Sequence, residues 1–184
     1  KIRLEREITS EIGSKRLVIV DRAENYGSRP SPFTILYHIN AGFPLLDENS
    51  EFVVSSKEVE PYDEISKEHM NEMLKFKSPQ PDAKEHNYLH TMNSDMNGYG
   101  YAAVINRKLL GGLGLYIKYD ISNLPYLSQW KMTGEVDYVT ALEPCNVKCE
   151  SRNIMRKEGI LPFIQPGEKL EMQVELGVLD GEDE

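Results

Sequence analysis

Tyr99-Gly100-Tyr101-Ala102-Ala103-Val104-Ile105-Asn106, a break through Gly111, then Gly112-Leu113-Gly114-Leu115-Tyr116-Ile117-Lys118-Tyr119: this stretch decides the fold. Both runs are rich in aromatic and β-branched residues, and a Gly-Gly turn divides them, which is the pattern of two strands in a hairpin. The same signal recurs on the C-terminal side, over Leu127 to Met132, Val136 to Leu142 and Lys169 to Val178. Turn formers stand between the runs at Asn97-Gly98, Asn123-Leu124-Pro125, Thr133-Gly134 and Gln165-Pro166-Gly167. Strand signals return from Tyr88 onward, and no repeated βα unit interrupts them. Many short strands joined by tight turns predict an all-β antiparallel sandwich and disfavour a parallel α/β sheet.

On the N-terminal side, Ile2-Arg3-Leu4-Glu5-Arg6-Glu7-Ile8 alternates with the two-residue period of a half-buried strand. A turn at Glu11 to Lys15 and the run Leu17-Val18-Ile19-Val20-Asp21 complete a predicted hairpin. Asn25 to Pro32 is dense in turn residues, and Phe33 to Asn40 reads as a further strand ending at Gly42 and Pro44. Residues 47 to 84 change character: acidic residues dominate and Pro61, Pro79 and Pro81 break any ladder. This segment reads as a long acidic excursion with a short surface helix over Glu64 to Lys77. The acidic tail, Asp180 to Glu184, is expected to fray.

Composition bounds the function. The 184 residues carry 21 Lys and Arg against 30 Asp and Glu, a net charge of −9. That length fits one domain over residues 1–184. The acidic balance argues against general nucleic-acid binding, which needs clustered cations. No apolar run approaches the ~18 residues of a membrane-spanning helix, so no membrane association is expected. Cys145 and Cys149 are a lone C-x3-C pair, too few for a secreted disulfide scaffold or a zinc site. Two unpaired thiols in a reducing cytoplasm are the expectation. Gly111-Gly112-Leu113-Gly114 lacks the Lys-Ser/Thr of a phosphate loop and reads as a turn.

Two segments could carry chemistry. In Tyr37-His38-Ile39-Asn40, His38 and Asn40 lie two apart and share one face of a strand. In Tyr138-Val139-Thr140-Ala141-Leu142-Glu143-Pro144, a carboxylate ends a strongly apolar strand. Each has an ordinary alternative: a satisfied structural histidine, and a strand-end surface acid.

Together these segments resemble the aldose 1-epimerase (galactose mutarotase-like) superfamily, and the branch of it named a domain of unknown function. The resemblance rests on Tyr37-His38-Ile39-Asn40 with Pro44-Leu45-Leu46, on Pro125-Tyr126-Leu127-Ser128-Gln129-Trp130, and on Leu142-Glu143-Pro144. Leu161-Pro162 to Pro166-Gly167-Glu168 matches the closing loop and strand. The resemblance implies a β supersandwich and an isomerase that interconverts the anomers of a free aldose. It makes Glu143 the catalytic base and His38 the catalytic acid, separated by roughly one sugar ring. Asn40, His90, Asp95, Trp130 and Lys131 are candidate sugar contacts by residue type and position, His90 lying roughly where the superfamily places another sugar-contacting strand. Trp130 and Lys131 alternate along a strand, so only one of them should face a given cleft.

The chemistry implied needs no metal and no cofactor. A non-catalytic carbohydrate-binding or regulatory sandwich is the alternative. A sugar phosphate is disfavoured, because no Arg cluster accompanies the motifs. Family members usually run to roughly 300 residues, beyond one small domain. The chain is therefore expected to be their C-terminal half, with a missing N-terminal half or a second copy as partner.

Overall fold

The computed structural model describes residues 1–148 and 150–181. The N-terminal hairpin pairs β1 (Ile2–Thr9) with β2 (Arg16–Asn25), in a register that places Leu4 opposite Ala23 and Ile8 opposite Ile19. After the short β3 (Ser31–Pro32) come β4 (Ile39–Gly42), β5 (Ser50–Val54) and β6 (Ser56–Pro61). Helix α1 (Glu64–Glu68) and a 3₁₀ turn at Met70–Glu72 follow. The long strands are β7 (His86–Met92), β8 (Tyr99–Asn106), β9 (Leu113–Asp120), β10 (Tyr126–Thr133) and β11 (Tyr138–Cys145). Helix α2 (Arg152–Glu158), β12 (Phe163–Ile164) and β13 (Lys169–Asp180) close the chain.

Two antiparallel sheets form the sandwich. One runs β1-β2-β13-β9-β8-β5 and the other β4-β11-β10-β7-β6, with β12 and β3 as a small separate pair. Their inner faces meet in one core. Ala23, Phe52, Val104, Ile117, Met172 and Val174 come from the first sheet, and Ala41, Met92, Leu127 and Leu142 from the second. Burying such side chains stabilises by ~1.5–3 kcal/mol each, which is what locks the register of both sheets.

Several expectations need correction. The acidic excursion contains two strands, β5 and β6, which edge opposite sheets. Phe52 is buried between Glu51 and Val53, so the acidic residues around it are the solvent-facing half of an alternating strand. The predicted helix over Glu64 to Lys77 is shorter. Asp63 caps α1 by accepting from the Ser66 amide at 2.7 Å. Beyond residue 69, the carbonyls of Glu72, Met73 and Lys75 accept hydrogen bonds from Lys131 and Gln129 and leave the helical ladder.

The predicted strand Phe33 to Asn40 is regular only from Ile39. Asn146 takes over the backbone before it: its amide oxygen accepts from Ile35 N at 2.8 Å and its amide nitrogen donates to the Phe33 carbonyl at 3.1 Å. Helix α2 was not expected; Ser151 caps its start, and Gly159, at φ 73°, ends it. The tail is strand through Asp180, which pairs with Leu113. Residues 182–184 and Cys149 lie outside the described residues. Cys145 is buried. Among the described residues no helix is long and apolar enough to cross a membrane.

Candidate active site

The second sheet has two faces, and the register assigns every side chain to one of them. Between β4 and β11, Ile39 pairs with Leu142 and Asn40 with Ala141. The same register continues before β4, where the Tyr37 amide donates to the Pro144 carbonyl at 3.0 Å and Leu36 bridges Cys145. His38 therefore stands opposite Glu143. On the other side, Glu143 pairs with Ser128, and Ala141 with Trp130. Side chains opposite one another share a face. His38, Asn40, Glu143, Ser128 and Trp130 thus form one group on the outer face.

The contacts follow this layout. His38 Nε2 lies 3.2 Å from Glu143 Oε1, and the two side chains are 51% and 7% exposed. His38 Nδ1 lies 2.6 Å from Asn40 Oδ1. The Trp130 ring meets the imidazole edge-on, with centroids 5.9 Å apart and planes at 61°. The expected gap of one sugar ring between acid and base is absent, because adjacent strands lie only ~4.8 Å apart and bring directly opposed side chains together. His38 is the mobile member of the pair, since half of its side chain faces solvent.

The arrangement fixes a proton count. With the Asn40 carbonyl oxygen against Nδ1, the contact is a hydrogen bond in the tautomer that carries its proton on that nitrogen. Nε2 and the Glu143 oxygen then need one proton between them, as imidazolium–carboxylate or as imidazole–carboxylic acid. Burial pushes the Glu143 carboxyl above its ordinary value; the His38 charge and a hydrogen bond from Ser128 pull it back. Groups this close titrate as a pair. The result is a carboxyl whose charged form burial disfavours, in direct contact with an imidazole nitrogen.

The structure separates the remaining candidates from this group. His90 pairs with Leu127 on the inner face, is fully buried, and contacts Gln129 Oε1 at 3.0 Å. Burial lowers its pKa. Lys131 points inward beside the Gln129 side of the strand, donating to the Glu72 and Lys75 carbonyls at 2.9 and 2.8 Å. Trp130 is thus the member of the alternating pair that faces His38. Asp95 spends its carboxylate on its own turn, accepting from the Asn97 and Tyr99 amides at 2.8 and 3.0 Å and from the Tyr101 hydroxyl at 2.8 Å. These hydrogen bonds, the Tyr99 amide's first, hold it below the usual carboxylate range. Sequence reading missed Ser128 and Asn87, which pairs with Trp130 across β7. The alternation Ser128–Trp130 was the available signal for the first. Among the described residues no cluster of three or more His, Cys, Asp or Glu could hold a metal.

The two-sheet antiparallel sandwich has a galactose mutarotase-like fold. Residues 1–178 match the family described as domain of unknown function DUF4432, and the chain belongs to that family. It is similar to the crystal structure of a "putative aldose 1-epimerase" from Klebsiella pneumoniae subsp. pneumoniae. That similarity has a TM-score of 0.93 at 27% identity, over 99% of this chain and 48% of that one. A galactose mutarotase-like protein from Clostridium acetobutylicum matches with a TM-score of 0.62 at 16% identity, over 96% of this chain and 56% of that one. A "putative aldose 1-epimerase" from Escherichia coli K12 gives a TM-score of 0.61 at 14% identity, over 97% of this chain and 60% of that one. The last two show the fold alone. The chain spans about half the length of these structures. No curated protein matches its sequence.

Proposed function

We propose that residues 1–184 form one mutarotase-like module that interconverts the anomers of a free aldose by acid–base ring opening. The contact between His38 Nε2 and Glu143 Oε1 supports this reading most directly. Glu143, as carboxylate, takes the proton of the C1 hydroxyl. His38, as imidazolium, gives its Nε2 proton to the ring oxygen as the C1–O5 bond breaks and the C1 carbonyl forms. Rotation about C1–C2 and the reverse transfers close the ring on the other anomeric face. One proton enters and one leaves the pair, so its proton count is unchanged over the cycle. Asn40 keeps the imidazole in register, and the Trp130 face covers the sugar's C–H surface. His38 swings toward solvent to admit the sugar, because the resting contact leaves no room between acid and base. The likeness to the Klebsiella structure supports the same reading. A partner, either a segment like the rest of the longer relatives or a second copy, would complete the sugar's surroundings.

The span of only about half the length of its structural relatives favours a second reading, a carbohydrate-binding or regulatory sandwich without turnover. Polarimetry on a panel of freshly dissolved aldoses, with calorimetric binding alongside, separates the two. The enzyme reading expects one or more sugars to reach equilibrium faster. Binding with no acceleration would favour the second reading.

A further inference from the structure

The face of β10 opposite Trp130 carries a second site. Lys131 there is 5% exposed and lines a cavity of about 520 Å³. An ammonium has three donors. Two of them go to the Glu72 and Lys75 carbonyls, and the ammonium lies 5.4 Å from the centre of the Phe76 ring, which lines the same cavity. Neutral carbonyls do not balance a buried charge, and burial lowers the Lys131 pKa to about 8. The nearby carboxylate of Glu72 is already taken by Lys77, at 2.6 Å. Glu72 still acts on the buried ammonium through space, but among the described residues no carboxylate makes a direct ion pair with it.

The rest of the lining has the same sign. Four lysines, at 75, 77, 84 and 131, face two carboxylates, Glu72 and Asp82. Lys75 and Lys84 have no ion-pair partner among the described residues. His69 and His86 also line the cavity and stack at 4.6 Å, presenting further nitrogens. A cationic pocket in a chain of net charge −9 is a local inversion of the field, which draws a small anion to this point.

We propose that this cavity binds a small oxyanion-bearing metabolite, carboxylate or phosphate, with Lys131 at its base and Lys75 and Lys84 at its mouth. The site lies on the inner side of β10 and is independent of the sugar-facing group. Titration with inorganic phosphate and, separately, citrate, at constant ionic strength and followed by amide NMR, tests it. Saturable shifts at Glu72, Lys75 and Thr133 are expected, with affinity about tenfold weaker in the double variant Lys75→Ala/Lys84→Ala. Tighter binding of phosphate would identify a phosphoryl ligand, and tighter citrate a carboxylate. Shifts that never saturate, or that saturate equally in the double variant, would overturn the proposal. Lys131→Met is a further probe; if it fails to fold, the double variant decides.

Discussion

At Glu143, function and stability pull in opposite directions. A carboxyl whose pKa is raised by burial contributes stability that is full below its unfolded value and lost as the pH rises through its folded value. At neutral pH the buried charge is therefore a cost that a neutral amide avoids. Glu143→Gln is expected to melt at a higher temperature than the parent at pH 7, with the difference gone near pH 4; calorimetry at the two values checks this. Asn40→Ala leaves the fold intact but frees the imidazole at Nδ1. Anomer exchange should fall by up to about 10²-fold with unchanged melting, since a misplaced acid can cost that much. Sequence periodicity alone placed His38 and Asn40 on one face. It could not reveal the contact with Glu143, which depends on pairing between strands a hundred residues apart.

Single strands in this fold serve two environments, and β10 is the clearest case. Ser128 and Trp130 face the acid–base pair while Gln129 and Lys131 hold the chain beyond α1. Lys131 has a depressed pKa, so between about pH 8 and pH 10 the unfolded chain carries a proton there that the folded chain does not. Stability from this residue should rise with pH across that window when no anion is added. Denaturant titrations of the parent and of Lys131→Met should show the rise only in the parent.

The N-terminal hairpin is tied down in a similar way. Burial opposes the charge on Asp21, but two hydrogen bonds from Arg6, at 2.8 and 2.6 Å, and one from the Tyr37 hydroxyl, at 2.7 Å, outweigh it. Asp21→Ala should destabilise by about 2 kcal/mol, read as a lower urea midpoint at constant slope. The alternation of Ile2 to Ile8 made this hairpin legible in sequence. Strands β5 and β6 were not, because their exposed positions are so acidic that the buried Phe52 was lost in the average.

The whole molecule places two chemistries back to back across one sheet: a histidine–glutamate pair outside and a buried lysine inside. The all-β class was legible from turn spacing and alternation, which are local. The division of the chain between two sheets was not, because β1, β2, β13, β9, β8 and β5 come together from both ends and the middle of the sequence. Alternation put His38 and Asn40 on one face of a strand, whereas the inward placement of His90 and Lys131 follows from the pairing of β10 with β7 and β11, which residue type does not specify. For the pair itself, the rate of anomer exchange is expected to fall on the acid side, where protonating Glu143, whose pKa burial raises, removes the base. The most direct measurement is saturation-transfer NMR of anomer exchange in the parent and in Glu143→Gln. The account predicts exchange accelerated by the parent and slowed by about 10²–10⁴-fold in the variant. Acceleration that survives Glu143→Gln unchanged would contradict it.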